Sequence, residues 1–181
     1  AKSDRLPHLL AMTATPIPRS LALTLYGELD ISILNERPAG RKPIATKIWA
    51  PTNLPKLYDT IDAELAAGRQ AYLICSLIDD SPQNDRKSVV AEHRRLQSTV
   101  FRHRRIGLLH GKLSPEEKDT IMQQFKDHEY DILVSTTVVE VGVDVPNATV
   151  IVIENADHFG LSQLHQLRGR IGRGQLPGTC L

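Results

Sequence analysis

Two arginines three residues apart, Arg170 and Arg173, stand among glycines in the stretch Gln163-Leu-His-Gln-Leu-Arg-Gly-Arg-Ile-Gly-Arg-Gly174. Its skeleton is Gln-x-x-Gly-Arg-x-Gly-Arg, through Gln166, Gly169, Arg170, Gly172 and Arg173. Residues three apart share one side of a helical turn, and glycine lets the backbone approach a second surface closely. The guanidinium is a permanently charged fork matched to phosphate oxygens, and in phosphoryl transfer it stabilises charge on the transferring group. A basic cap on an ordinary helix also places arginines here, but the full spacing favours an anion-facing pair.

Upstream, Val134-Ser-Thr-Thr-Val-Val-Glu-Val-Gly-Val-Asp-Val-Pro146 puts the hydroxyls of Ser135, Thr136 and Thr137 directly after an apolar strand, where they can bond phosphate oxygens. Gly142 and Asp144 follow in a turn that Pro146 stiffens. Lys112, in His110-Gly-Lys-Leu, sits before a helix start, a position that suits a phosphate contact or an ordinary surface lysine. No G-x-x-x-x-G-K-[ST] loop and no Asp-Glu-x-His box for magnesium is present, and no metal-ligand spacing of His or Cys.

The elements that must position these groups alternate. Strands are predicted at 44–50, 71–76, 106–110, 131–135 and 149–154, with a further one beginning at 177–181. Helices are predicted with apolar faces at Ile17, Leu21 and Leu25, and at Leu57, Ile61 and Leu65 before the stop at Gly68. Asp79 to Asp85 reads as a polar loop and a basic helix runs from there to Phe101. Ser114, Pro115 and Glu117 form a capping box with proline at the first helical position, ahead of the stripe Ile121, Met122 and Phe125. A last helix covers 160–170. This alternation predicts an α/β fold with a mostly parallel sheet covered on both faces, binding ligands at the carboxyl ends of its strands, after Ser76, His110 and Ser135.

The whole chain has 181 residues, 41% hydrophobic and 24% charged, with a net charge of +1, which suits an ordinary globular domain. No apolar run approaches the roughly 18 residues of a membrane helix, so no membrane partner is expected. Cys75 and Cys180 are far apart and suggest a reducing compartment. The arginines 94, 95, 102, 104 and 105 read as a solvated helix face.

The arginine stretch resembles motif VI of superfamily 2 helicases, with the wording His165-Gln-Leu-Arg-Gly-Arg-Ile-Gly-Arg173 similar to the RecG-type branch-migration helicases. The threonine stretch resembles motif V, Met12-Thr-Ala-Thr-Pro-Ile-Pro-Arg19 resembles motif III, Tyr72 to Asp79 resembles motif IV, and His110-Gly-Lys-Leu113 resembles motif IVa. The resemblance implies a RecA-like three-layer sandwich, with residues 1–40 as the motif III segment and linker and 41–181 as the second motor lobe. It implies Arg173 as the main arginine finger with Arg170 as companion, and Gly142, Asp144 and Gln166 near the nucleotide. It implies Lys112, Thr136, Thr137 and Ser76 at DNA phosphates, and Thr13, Thr15 and Arg19 coupling the lobes. ATP and magnesium would be held mainly by a first lobe outside this sequence, and the other partners would be branched or double-stranded DNA and a wedge domain. Such an enzyme is expected in the bacterial cytoplasm, associated with the nucleoid.

Two other readings fit parts of the sequence. Asn155-Ala-Asp-His-Phe-Gly160 leans toward a transcription–repair coupling translocase, while Pro38 to Ile44 and Glu140 to Asn147 look more like the RecG type. A non-enzymatic RecA-like interaction module is the alternative of a different class, and a self-contained nucleotide-binding enzyme is disfavoured by the missing phosphate loop.

Overall fold

The computed structural model describes residues 10, 12, 32–34, 42–75, 82–137 and 144–181, with backbone alone for 82–88. The chain divides into two compact units, Ala1–Glu36 and Arg37–Leu181. The helix expected around Ile17, Leu21 and Leu25 lies outside the described residues.

In the second unit the strands are β1 (Ile44–Thr46), β2 (Gln70–Ile74), β3 (Ile106–Leu109), β4 (Ile132–Ser135), β5 (Ala148–Ile153) and β6 (Gly178–Cys180). The helices are α1 (Leu54–Ala66), α2 (Pro82–Arg95), α3 (Pro115–Lys126) and α4 (Leu161–Arg168). The sheet order is β1-β6-β5-β2-β4-β3, and every pairing in it is parallel. The β2 strand is buried at every residue because it lies in the middle of a sheet covered on both sides. Its side chains alternate between the layers. Tyr72 and Ile74 join Met122, Phe125, Leu167 and Ile171 on the α3–α4 face. Ala71, Leu73 and Cys75 join Leu57, Ile61, Leu65 and Val89 on the α1–α2 face. The result is the three-layer sandwich expected, with a sheet fully parallel among the described residues.

Local chemistry fixes several boundaries. The Ser114 hydroxyl accepts from the Glu117 amide at 3.2 Å and the Glu117 carboxylate accepts from the Ser114 amide at 2.7 Å, a complete capping box. Gly68, at φ +78°, ends α1 in the left-handed region. Other boundaries differ from expectation. The first strand stops at Thr46 instead of Ala50, since Lys47 donates the last rung to Cys180 at 2.9 Å and Pro51 opens a 3-10 turn. Helix α2 begins at Pro82, inside the expected polar loop, because proline at the first turn gives up no helical bond. It ends at Arg95, and Leu96–Val100 continue as a π-helical turn.

The arginines of this region act as internal staples. Arg104 Nε bonds Asp62 Oδ1 at 2.8 Å, Arg105 Nη2 bonds Asp131 Oδ1 at 2.8 Å, and Arg95 Nε bonds Glu92 Oε2 at 2.8 Å. The first two tie separate segments together at the protein surface and the third lies within α2, so these arginines are less free for an external phosphate than their number suggests.

Candidate functional site

Helix α4 positions the arginine pair. It starts at Gly160, whose amide donates to Gln163 Oε1 at 3.2 Å, and its inner face is anchored by the fully buried Leu167 and, just beyond the helix, Ile171. With those two residues inside, Arg170 is left half-buried and Arg173 exposed. Gln166 is partly buried on the same helix.

The glycines then do what their positions require. Gly172 has φ +65°, a conformation costly for side-chain-bearing residues, and a Cβ there would lie 3.1 Å from Ile44 Cγ1. A Cβ on Gly174 would stand 2.8 Å from the Pro146 carbonyl oxygen, so only glycine allows this approach of the two backbones. That approach brings the arginine stretch against the Asp144-to-Pro146 segment. Arg173 Nη1 lies 3.6 Å from Asp144 Oδ1, and Arg173 Nε donates to the Gly169 carbonyl at 3.1 Å. Beneath them is Tyr72, packed edge-on to Phe125 with centroids 5.0 Å apart. Burial pushes the Tyr72 phenol up to about 12; the nearby charges of Arg170 and Arg173 pull it down and that of Asp144 pushes it up. The phenol is therefore a neutral floor under a cationic pair.

The hydroxyl and lysine candidates lie elsewhere. Thr136 and Thr137 follow the carboxyl end of β4, and Lys112 follows the carboxyl end of β3. Pro146 and Gly174 precede β5 and β6, at the amino ends of these parallel strands. The site is thus two sites, on opposite edges of one sheet. Lys112 is exposed and Thr137 is half-buried. Thr136 is only 4% exposed, with its amide donating to the Leu109 carbonyl at 3.3 Å while Ser135 Oγ donates to the Thr136 carbonyl at 2.8 Å. It holds the start of the loop in place, and Thr137 is the more accessible hydroxyl. Thr13, Thr15, Arg19, Ser76 and Gly142 lie outside the described residues.

A third cluster has no sequence signature. Burial raises Glu154 to about 7, with the neighbouring Glu92 carboxylate acting the same way and Arg95 opposing. Glu154 follows β5, Cys75 follows β2, and Arg95 Nη2 also bonds Tyr58 Oη at 2.6 Å, so the cluster joins α1, α2 and the sheet. Period-2 alternation puts Cys75 on the α1–α2 face, but only the crossover topology brings Glu154 beside it. Among the described residues no group of three or more His, Cys, Asp or Glu could hold a metal ion. None of their helices is long and apolar enough to cross a membrane.

Comparison with known proteins gives one family. The helicase conserved C-terminal domain matches residues 54–175. The ATP-dependent DNA helicase RecG of Synechocystis sp. is 54% identical over 175 residues, covering 97% of this chain and 21% of that protein. The RecG of Bacillus subtilis is 52% identical over 176 residues, covering 97% and 26%. The chain therefore spans about a fifth to a quarter of the length of these relatives. The solved structure of RecG bound to a three-way DNA junction superposes with a TM-score of 0.77 at 48% identity, over 92% of this chain and 21% of that one. The yeast Dbp5 bound to RNA and ADP BeF3 shares the fold, with a TM-score of 0.62 at 16% identity, over 90% of this chain and 40% of that one.

Proposed function

The chain belongs to the helicase conserved C-terminal domain family, and from that premise we propose that it is the second motor lobe of an ATP-driven, RecG-type helicase that remodels branched DNA. The observation that carries this reading is the seating of Arg173 against the Asp144 turn, 3.6 Å apart, on a helix anchored by Leu167 and Ile171. An exposed guanidinium held at its backbone end is suited to meeting a phosphate brought by another surface.

ATP is the substrate in this reading, bound mainly by a first lobe outside this sequence. The residues present fit the triphosphate end: two forked guanidiniums stand over a neutral phenol, with the Arg173 Nε held by the Gly169 carbonyl and its Nη1 facing Asp144. Arg173 and Arg170 would neutralise charge that develops on the transferring phosphoryl group. Gln166 and Asp144 would orient the nucleotide. Magnesium, in this reading, would also be held mainly by the other lobe.

DNA would run along the opposite edge, where Lys112 and Thr137 would meet backbone phosphates and Thr136 would hold the loop that carries Thr137. Binding there while hydrolysis occurs at the other edge lets one rigid sheet transmit the displacement. The similarity to RecG over 97% of the chain supports this over a transcription–repair coupling translocase.

The test is Arg173→Ala in the two-lobed protein. ATPase is expected to fall by about 10³–10⁵ while junction binding is retained. Unchanged turnover would remove the arginine from the reaction.

A further inference from the structure

A cleft of about 890 Å³ opens at the carboxyl edge of the sheet, on the β1–β6–β5 side, away from Lys112 and Thr137. The chain leaves β1 toward α1 on one face and leaves β5 toward α4 on the other, so the cleft forms where the two connections diverge. Its wall is apolar, with Trp49, Leu54, Ile48 and Leu161 prominent. Ile48 is 100% exposed and Leu161 is 86% exposed, two large apolar side chains lining one cleft. The Trp49 Nε1 donor is buried and has no acceptor, which marks this wall as incomplete.

Resting on the reading of the chain as one lobe of a longer protein, we propose that this cleft seats an apolar segment of the same polypeptide from beyond residues 1–181. Three observations select that occupant. Acidic and basic groups are mixed along the cleft, with Lys47 and Arg168 facing Asp157 and a Glu154 that burial leaves partly protonated near neutral pH, so the cleft presents no concentrated positive patch for a polyanion such as DNA. Among the described residues β1 is the outermost strand and is paired on one side only, an edge that another stretch of backbone can extend. The relatives that share 97% of this chain are four to five times its length, so an ample source of such a segment accompanies the lobe. An incoming segment supplies an apolar side chain to cover Ile48 and Leu161, and a carbonyl acceptor for the Trp49 Nε1 donor.

The seat matters because α4 forms one wall of it. Leu161, Leu164, His165 and Arg168 line the cleft, and the same helix ends at the turn that presents Arg170 and Arg173. An occupant therefore rests on the helix that aims the arginine pair.

Amide hydrogen exchange, read without ATP or DNA, tests the seat independently of the proposed motor function. Residues 47–54 and 161–165 are expected to exchange at least about tenfold more slowly in the full-length protein than in the 181-residue chain. Leu161→Glu in the full-length protein is expected to return 47–54 to the rates of the short chain, with β5 still protected as evidence of folding. Equal rates in the two proteins, or protection that survives Leu161→Glu, overturns the proposal. Trp49 is the single tryptophan of the 181 residues, so its emission reports rival occupants in the short chain. It is expected to stay constant on adding a DNA duplex and on raising protein concentration. A saturable shift with DNA assigns the cleft to nucleic acid, a concentration-dependent shift assigns it to a second copy, and either result overturns the proposal.

Discussion

Arg173 lies 3.6 Å from Asp144, although strand β5 and helix α4 separate them in the chain. Both side chains are substantially exposed, and pairs of this kind contribute about 0–1 kcal/mol. The contact is strong enough to bias the arginine toward the turn and weak enough to yield to a more highly charged phosphate. Its geometry is set by backbone, through the approach of Gly174 to Pro146.

The glycines of that approach should therefore be sensitive in proportion to their geometry. Gly172→Ala places a Cβ at a positive φ and within 3.1 Å of Ile44, and is expected to cost about 1–3 kcal/mol. Gly160→Ala, with an extended backbone and nothing nearer than 3.9 Å, should change stability by less than about 0.5 kcal/mol. Urea melts of the two variants give the comparison, and equal midpoints would contradict it.

On the edge proposed for DNA, Lys112→Ala and Thr137→Ala should separate charge from hydrogen bonding. Removing Lys112 is expected to weaken DNA binding and lower the slope of log affinity against log salt by about one. Removing the Thr137 hydroxyl should weaken binding and leave that slope unchanged. Titrations of the two-lobed protein with a DNA junction at several salt concentrations measure both; an unaltered slope for Lys112→Ala excludes it from the phosphates.

Glu154 predicts a pH dependence with a definite sign. Burial raises its folded pKa to about 7 from the ordinary 4.5, so the folded state holds the proton more tightly than the unfolded chain. Stability from this group is complete below about pH 4.5 and declines as pH rises toward 7. The size is about 1–3 kcal/mol, because Glu154 is only partly buried and solvent screens part of the effect. Glu154→Gln should flatten stability over that interval, as read from chemical denaturation at pH 5 and pH 7.5. Asp62 acts in the opposite sense, because its hydrogen bond from Arg104 holds it below the carboxylate range and its contribution is lost only in stronger acid.

Gln70 is fully buried at the amino end of β2, where its Nε2 donates to the carbonyls of Phe125 and Tyr130, the latter at 2.8 Å. Asn147 Nδ2 donates to its Oε1 at 3.3 Å. Gln70→Ala leaves those partners without protein replacements and opens a cavity, so a loss of about 2–4 kcal/mol is expected. The native amide hydrogens of β2 and β5 should exchange faster in step with that loss.

The sequence by itself determined the period of each element, and with it the layers. Alternation in β2 separates Tyr72 from Leu73, and the capping box at Ser114 sets the start of α3, because both are local matters of side-chain spacing and hydrogen bonding. It also supplied the family resemblance, since the arginine and threonine stretches keep their types and order. The short β1 depends on its pairing with β6, a neighbour in space, so local composition missed it. Tertiary structure alone decided that the arginine pair and the Lys112–Thr137 surface lie on opposite edges. That follows from the parallel sense of the strands: α4 carries the chain from the carboxyl end of β5 back to the amino end of β6. It also decided that Glu154 meets Cys75 and Glu92, because β5 crosses past β4 to lie beside β2, an order that sequence spacing does not encode.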